Sequence, residues 1–159
     1  MERCIDSSSE RPGRTDCSRA KLRAREKHVK AVHNFIAAFI TDETLKERVL
    51  HVFSALPEDV RNEFMRDPGF SMGTYDTGRP GGARLLIPCP QIARGSRLVT
   101  LERSLGIRSR AFAHYVIAHE FAHALLWNRA RHPAEDPEIA ADSLAAEWGF
   151  PRPATLPLL

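Results

Sequence analysis

The sequence predicts a mostly helical α+β domain with a small β-sheet or hairpin packed on one central helix. Three observations predict it. Apolar residues recur at helical spacing over 19–66, over 109–130 and over 137–149. Two short apolar runs of strand type lie together within 83–102. The 159 residues, 43% of them apolar, suffice to bury one core but not two, so residues 19–159 read as a single domain.

The elements follow in order. Residues 1–18 are rich in Ser, Arg and Asp and read as a disordered tail. From Ser18 the pattern turns helical, with Leu22, Val29, Val32, Phe35, Ile36 and Ile40 on one face. Thr41-Asp42 breaks that helix and caps the next, whose apolar positions are Leu45, Val49, Leu50, Val52, Phe53 and Leu56. Pro57 opens a third helix that buries Val60, Phe64 and Met65. Residues 67–82 hold two prolines and five glycines and read as a loop, of the length that is often functional. A-R-L-L-I-P (83–88) and R-L-V-T-L-E (97–102) read as a hairpin or two edge strands. A long helix runs from Ser109 to about Arg129. Asp136-Pro137 starts another, ended by Gly149 just past its last turn and Pro151 beyond.

Composition excludes several classes. No run approaches the roughly 20 apolar residues that cross a bilayer, so no membrane is expected. The segment M-E-R-C-I-D-S-S-S-E has no apolar stretch and predicts no secretory leader. Cys4, Cys17 and Cys89 are odd in number and form no C-x-x-C pair, which argues for free thiols in a cytoplasmic setting. The net charge of +3 is uneven: residues 1–30 carry nine Lys/Arg against five Asp/Glu, and the rest of the chain is close to neutral. This basic arm is a weak pointer to nucleic acid or another acidic partner.

The chemistry lies in H-Y-V-I-A-H-E-F-A-H-A-L-L-W, residues 114–127. It contains H-E-x-x-H as His119, Glu120 and His123. Residues four apart stack on one helix face, so both imidazoles can reach one Zn²⁺. Glu120 sits about 100° around the helix from His119, outside the ligand set but near the metal's open position. There it can take a proton from a zinc-activated water and pass it on. The motif is embedded in Val116, Ile117, Ala118, Phe121, Ala122, Ala124 and Leu125, and burying its polar groups is costly unless a cation engages them.

Two histidines and a water leave one ligand to assign. In D-P-E-I-A-A-D-S-L-A-A-E-W-G-F, residues 136–150, Glu138 and Asp142 are four apart on one helical face. Glu138 is assigned as the third ligand. Asp142 would accept the free ring N–H of a ligand histidine, His119 above all. Carboxylates of either length ligate zinc, so the reverse assignment is the alternative. His132 is a minor ligand candidate. His114 would face away from His119, and His28, His33 and His51 read as ordinary, partly exposed histidines. Tyr75, Tyr115 and Arg79 are candidates to polarise a reaction intermediate, and the sequence does not select among them.

H-E-F-A-H followed by E-I-A-A-D on a second helix resembles the gluzincin-type metallopeptidases. The spacing and the run A-A-D-S-L-A-A-E-W-G-F are most similar to the ImmA/IrrE-like family, small bacterial and phage proteins that act on partner repressors. The membrane-bound CAAX-processing-type peptidases share E-x-x-x-D but have transmembrane helices. A metzincin would want Gly at Leu126 and His at Arg129. The resemblance covers roughly Arg97–Pro151. It implies a zincin-like domain with one Zn²⁺, and an edge strand, Leu98–Leu101 or Leu85–Ile87, against which an extended substrate could pair.

The expected function is zinc-dependent hydrolysis of a protein or peptide, with a transcriptional repressor as one possible substrate. The alternative is a regulatory protein that keeps the zinc site and acts through a partner protein or a DNA-associated regulator. A purely structural metal site, or none, is the third reading.

Overall fold

The computed structural model describes residues 14–77, 84–85, 97–129 and 136–154. Helices α1 (Arg14–Ala37), α2 (Glu43–Ala55) and α3 (Glu58–Arg66) precede strands β1 (Phe70–Asp76), β2 (Arg84–Leu85) and β3 (Arg97–Glu102). A 3₁₀ turn over Arg103–Gly106 leads into α4 (Arg110–Asn128), and α5 (Pro137–Glu147) follows. The chain is therefore mostly helical with a small sheet, consistent with α+β. Among the described residues no helix is long and apolar enough to cross a membrane.

Local signals set the helix ends. The Asp42 side chain accepts the Leu45 N–H at 2.9 Å and caps α2. Asp136 accepts the Glu138 N–H at 2.9 Å, with Pro137 in the first turn of α5. Gly149 takes φ +91°, a backbone state that disfavours any side chain, and stops α5. Pro57 stands at the N-cap of α3 without a side-chain bond.

The sheet corrects part of the reading of residues 67–82 as loop: residues 70–76 form a strand, while 78–82 lie outside the described residues. The turn is confined to Asp67–Gly69, where the Asp67 side chain accepts the Gly69 N–H at 2.9 Å and its carbonyl accepts the Phe70 N–H at 3.1 Å. F-S-M-G-T-Y-D then runs as β1, burying Phe70 and Met72 two residues apart. Pairing on both sides outweighs the glycine in this strand, because propensity yields to tertiary context. The order is β2-β1-β3. β1 pairs antiparallel with β2 (Tyr75 opposite Leu85) and parallel with β3 (Phe70 opposite Arg97). The two strands expected from sequence thus flank β1 as edges instead of forming a hairpin with each other. The segment 86–88 lies outside the described residues.

One expectation at the N-terminus also changes. The tail does not reach residue 18: α1 begins at Arg14, while residues 1–13 lie outside the described set. Only the second half of the predicted α1 face is covered. Val32, Ile36 and Ile40 are buried, but Leu22 and Val29 are 57% and 61% exposed. Among the helices α1 packs mainly on α2, and its first turns extend past that contact.

The core is aromatic at its centre. Phe53, Phe64, Phe70 and Phe121 lie with ring centroids 5.0–6.3 Å apart. Phe35 and Phe39 extend the cluster towards α1. Helix α4 is the hub, packing against α2, β3 and α5. Its residues Ala113, Ile117, Phe121 and Leu125, four apart, face the core. α5 packs on α4 through small side chains: Ala141 and Ala145 are fully buried, as are Ala118 and Ala122 on α4.

Candidate metal centre

With Phe121 committed to the core, His119 and His123 fall on the neighbouring face of α4, towards α5. Their Nε2 atoms approach to 2.9 Å. Glu138, in the first turn of α5, places Oε2 3.1 Å from His119 Nε2 and Oε1 3.3 Å from His123 Nε2. One ligand atom from each of the three lies within 4.8 Å of the others, a group positioned to hold a metal ion.

The donor set fits a cation. His119 Nδ1 lies 2.8 Å from Asp142 Oδ1. A carboxylate there accepts the Nδ1–H, so the neutral ring turns its Nε2 lone pair towards His123 and Glu138. Lone pairs of two imidazoles and a carboxylate crowded within about 3 Å repel unless a proton or cation sits among them. Ligands held at about 2.0–2.1 Å in tetrahedral array lie about 3.3 Å from one another. The observed 2.9–3.3 Å separations are within a few tenths of an ångström of that spacing. The mouth is open on the Glu138 side: the His119 side chain is 12% exposed and that of Glu138 68%.

Asp142 is itself held by three donors. Tyr115 Oη donates to Oδ1 at 2.7 Å, and Arg152 Nη1 donates to Oδ2 at 3.3 Å, alongside His119. Burial alone would raise its pKa and is the largest single influence. The bonds from Tyr115, His119 and Arg152 together outweigh it and hold the carboxyl below its ordinary range. Burial, then the bond to Asp142, pushes the Tyr115 phenol up to about 12. Tyr115 therefore acts on Asp142, not on an open site. Tyr115 lies four residues before His119, so helical spacing could have linked it to the site. Arg152 follows Pro151, outside any periodic segment, and sequence carried no signal for it.

Glu120 is half-buried beside the ligands. Burial pushes its carboxyl above the usual range and Glu138 adds to this, against the pull of His123 and His119. Tyr75, on β1, is raised by burial first, then by the charges of Glu102 and Glu120, which places it within reach of the Glu120 field. Arg79 and His132 lie outside the described residues. His114 turns away from His119, as expected, and stacks on His51 instead.

Replacing Asp142 by Ala is expected to lower metal affinity about 10–100-fold, because the His119 ring loses its orienting acceptor. Competition with a chromophoric chelator measures it. Unchanged affinity would show that Asp142 plays no part in holding the ligand.

Comparison of the chain with protein-family models, with curated proteins and with solved structures finds no match.

Proposed function

We propose that this chain is a zinc-dependent metallopeptidase of the gluzincin type, with a zincin-like domain, that hydrolyses peptide bonds of a protein substrate. One observation carries the reading: two imidazole nitrogens and a carboxylate from α4 and α5 converge, with His119 anchored from behind by Asp142. Two nitrogen donors and one oxygen donor suit Zn²⁺, and three protein ligands leave the open position that a hydrolytic site needs. When bound, the ion supplies Lewis-acid polarisation of water and of the scissile carbonyl.

The chain's own residues supply the rest. Glu120 adjoins His119 on α4 outside the ligand group; it takes a proton from the attacking water and delivers it to the leaving amine. Asp142 fixes the His119 tautomer. The outer edge of β3, unpaired among the described residues, runs beside α4 and receives the substrate as an added strand along Leu98–Leu101. The other candidate edge, at Leu85, lies on the far side of β1.

Metal removal tests the proposal. Purified protein should contain about one zinc per chain and cleave an unfolded, fluorescently labelled protein substrate. Dialysis against a strong chelator should abolish cleavage, and stoichiometric zinc should restore it. Undiminished cleavage by protein shown to be metal-free would overturn the assignment.

A further inference from the structure

Away from the metal centre, α2 and α4 enclose a second concavity. Thr44, Glu47, Arg48 and His51 on one face of α2, with Arg110 and His114 at the start of α4, line a cavity of about 270 Å³. The His51 and His114 rings stack with centroids 4.4 Å apart and planes 18° from parallel. Phe150 stands edge-on to both, at 6.1 and 6.0 Å. Arg48 donates Nε–H to the Gly106 carbonyl at 3.0 Å.

Each feature asks for negative charge. Two guanidinium groups, of Arg48 and Arg110, line one concavity, and an anion offers both of them acceptors. Stacked imidazoles beside two arginines repel further positive charge. Burial first, then His51, Arg48 and Arg110, holds His114 below the ordinary histidine range. Glu47 is the one acid in the lining; it, Thr44, His51 and Arg110 are exposed to solvent, and Arg48 and His114 are half-buried. The lining carries +1 with both imidazoles neutral and +3 with both protonated. The volume falls just below the roughly 300–1,000 Å³ of drug-sized pockets, which selects a small ligand. Planar guanidinium groups match the paired oxygens of a phosphate.

We propose that this cavity binds a small phosphate-type dianion, either inorganic phosphate or the phosphate group of a small phosphorylated compound. Arg48 and Arg110 grip the oxygens, and His51 and His114 donate ring N–H bonds. The site shares no residue with the metal centre and does not depend on it. Binding draws a proton onto His114, because the anion offsets the repulsion from Arg48 and Arg110. For an anion of fixed charge affinity therefore rises as pH falls, whereas a phosphate group loses charge of its own at about pH 6–7 and offsets the gain.

Calorimetric titration of the full chain with inorganic phosphate, sulfate and adenosine monophosphate tests this. Saturable binding of phosphate and sulfate is expected, with Arg110→Gln and Arg48→Gln each weakening it about tenfold or more, the worth of one charge-assisted contact. Sulfate stays a dianion across the range, so its binding should strengthen from pH 8 to pH 6 with proton uptake, and His114→Gln should flatten that dependence. Tighter binding of the nucleotide marks a phosphorylated compound as the natural occupant; tighter binding of phosphate marks the free ion. Absence of saturable binding by any of the three up to roughly 10 mM overturns the proposal, since such affinity is no better than non-specific. So does wild-type binding by Arg110→Gln, an exposed position whose variant keeps the fold even if Arg48→Gln does not.

Discussion

Glu120→Gln is expected to lower peptidase turnover about 10²–10⁴-fold, the usual contribution of a positioned general base and acid. The metal content of the variant should stay at the wild-type level. Gln keeps the size and shape of Glu but cannot accept a proton at neutral pH. The group positioned to hold a metal consists of His119, His123 and Glu138, so the substitution leaves that group intact. Single-turnover cleavage assays, with metal analysis on the same samples, make the measurement. The variant also separates the two functional readings. A regulatory protein that keeps the metal site and acts by binding a partner would work as well with Gln as with Glu. Equal performance of the two forms in a cellular assay would therefore end the peptidase proposal and leave the metal site standing.

Phe121→Ala is expected to destabilise the fold by about 3–5 kcal/mol, the range for deleting a buried aromatic ring. Phe121 is fully buried and touches Phe53 and Phe64 at 5.4 Å and Phe70 at 6.2 Å, so it joins α4 to α2, α3 and the sheet at one point. Relaxation around the vacated ring would have to move three elements at once. In a domain of this size each kcal/mol lowers Tm by about 2–4 °C, so a fall of roughly 6–20 °C should follow. Urea unfolding should show a lower midpoint with an unchanged slope. A loss under about 1 kcal/mol would contradict the packing described above.

Much of this arrangement was legible in the residues, and the unevenness has physical causes. Helix ends written in local hydrogen bonds, such as Asp42, Asp136 and Gly149, can be read because the cap and the group it satisfies are neighbours in the chain. The grouping of His119, His123 and Glu138 was legible for a related reason. Spacing of four fixes a helix face, and a short link returns α5 beside α4. β1 was hidden because its glycine, and the turn before it, speak locally for a loop. The pairing that makes it a strand comes from β3, 27 positions away in register. The exposure of Leu22 and Val29 was not legible for the opposite reason. Their spacing is helical and apolar, but periodicity shows only that a face exists, not that anything covers it. Arg152 reaches Asp142 from beyond α5, where no periodic signal operates.

The alanines between α4 and α5 act as a gauge on the distance between two helix axes. Glu138 rides one axis and the histidines the other, so the thickness of a methyl group at Ala141 and Ala145 decides where the carboxylate stands relative to the imidazoles. Metal ligands tolerate errors of about 0.2 Å, far less than the width of one added carbon. Positions outside the candidate ligand group thereby set its geometry, and enlarging either one would move Glu138 away from the two imidazoles.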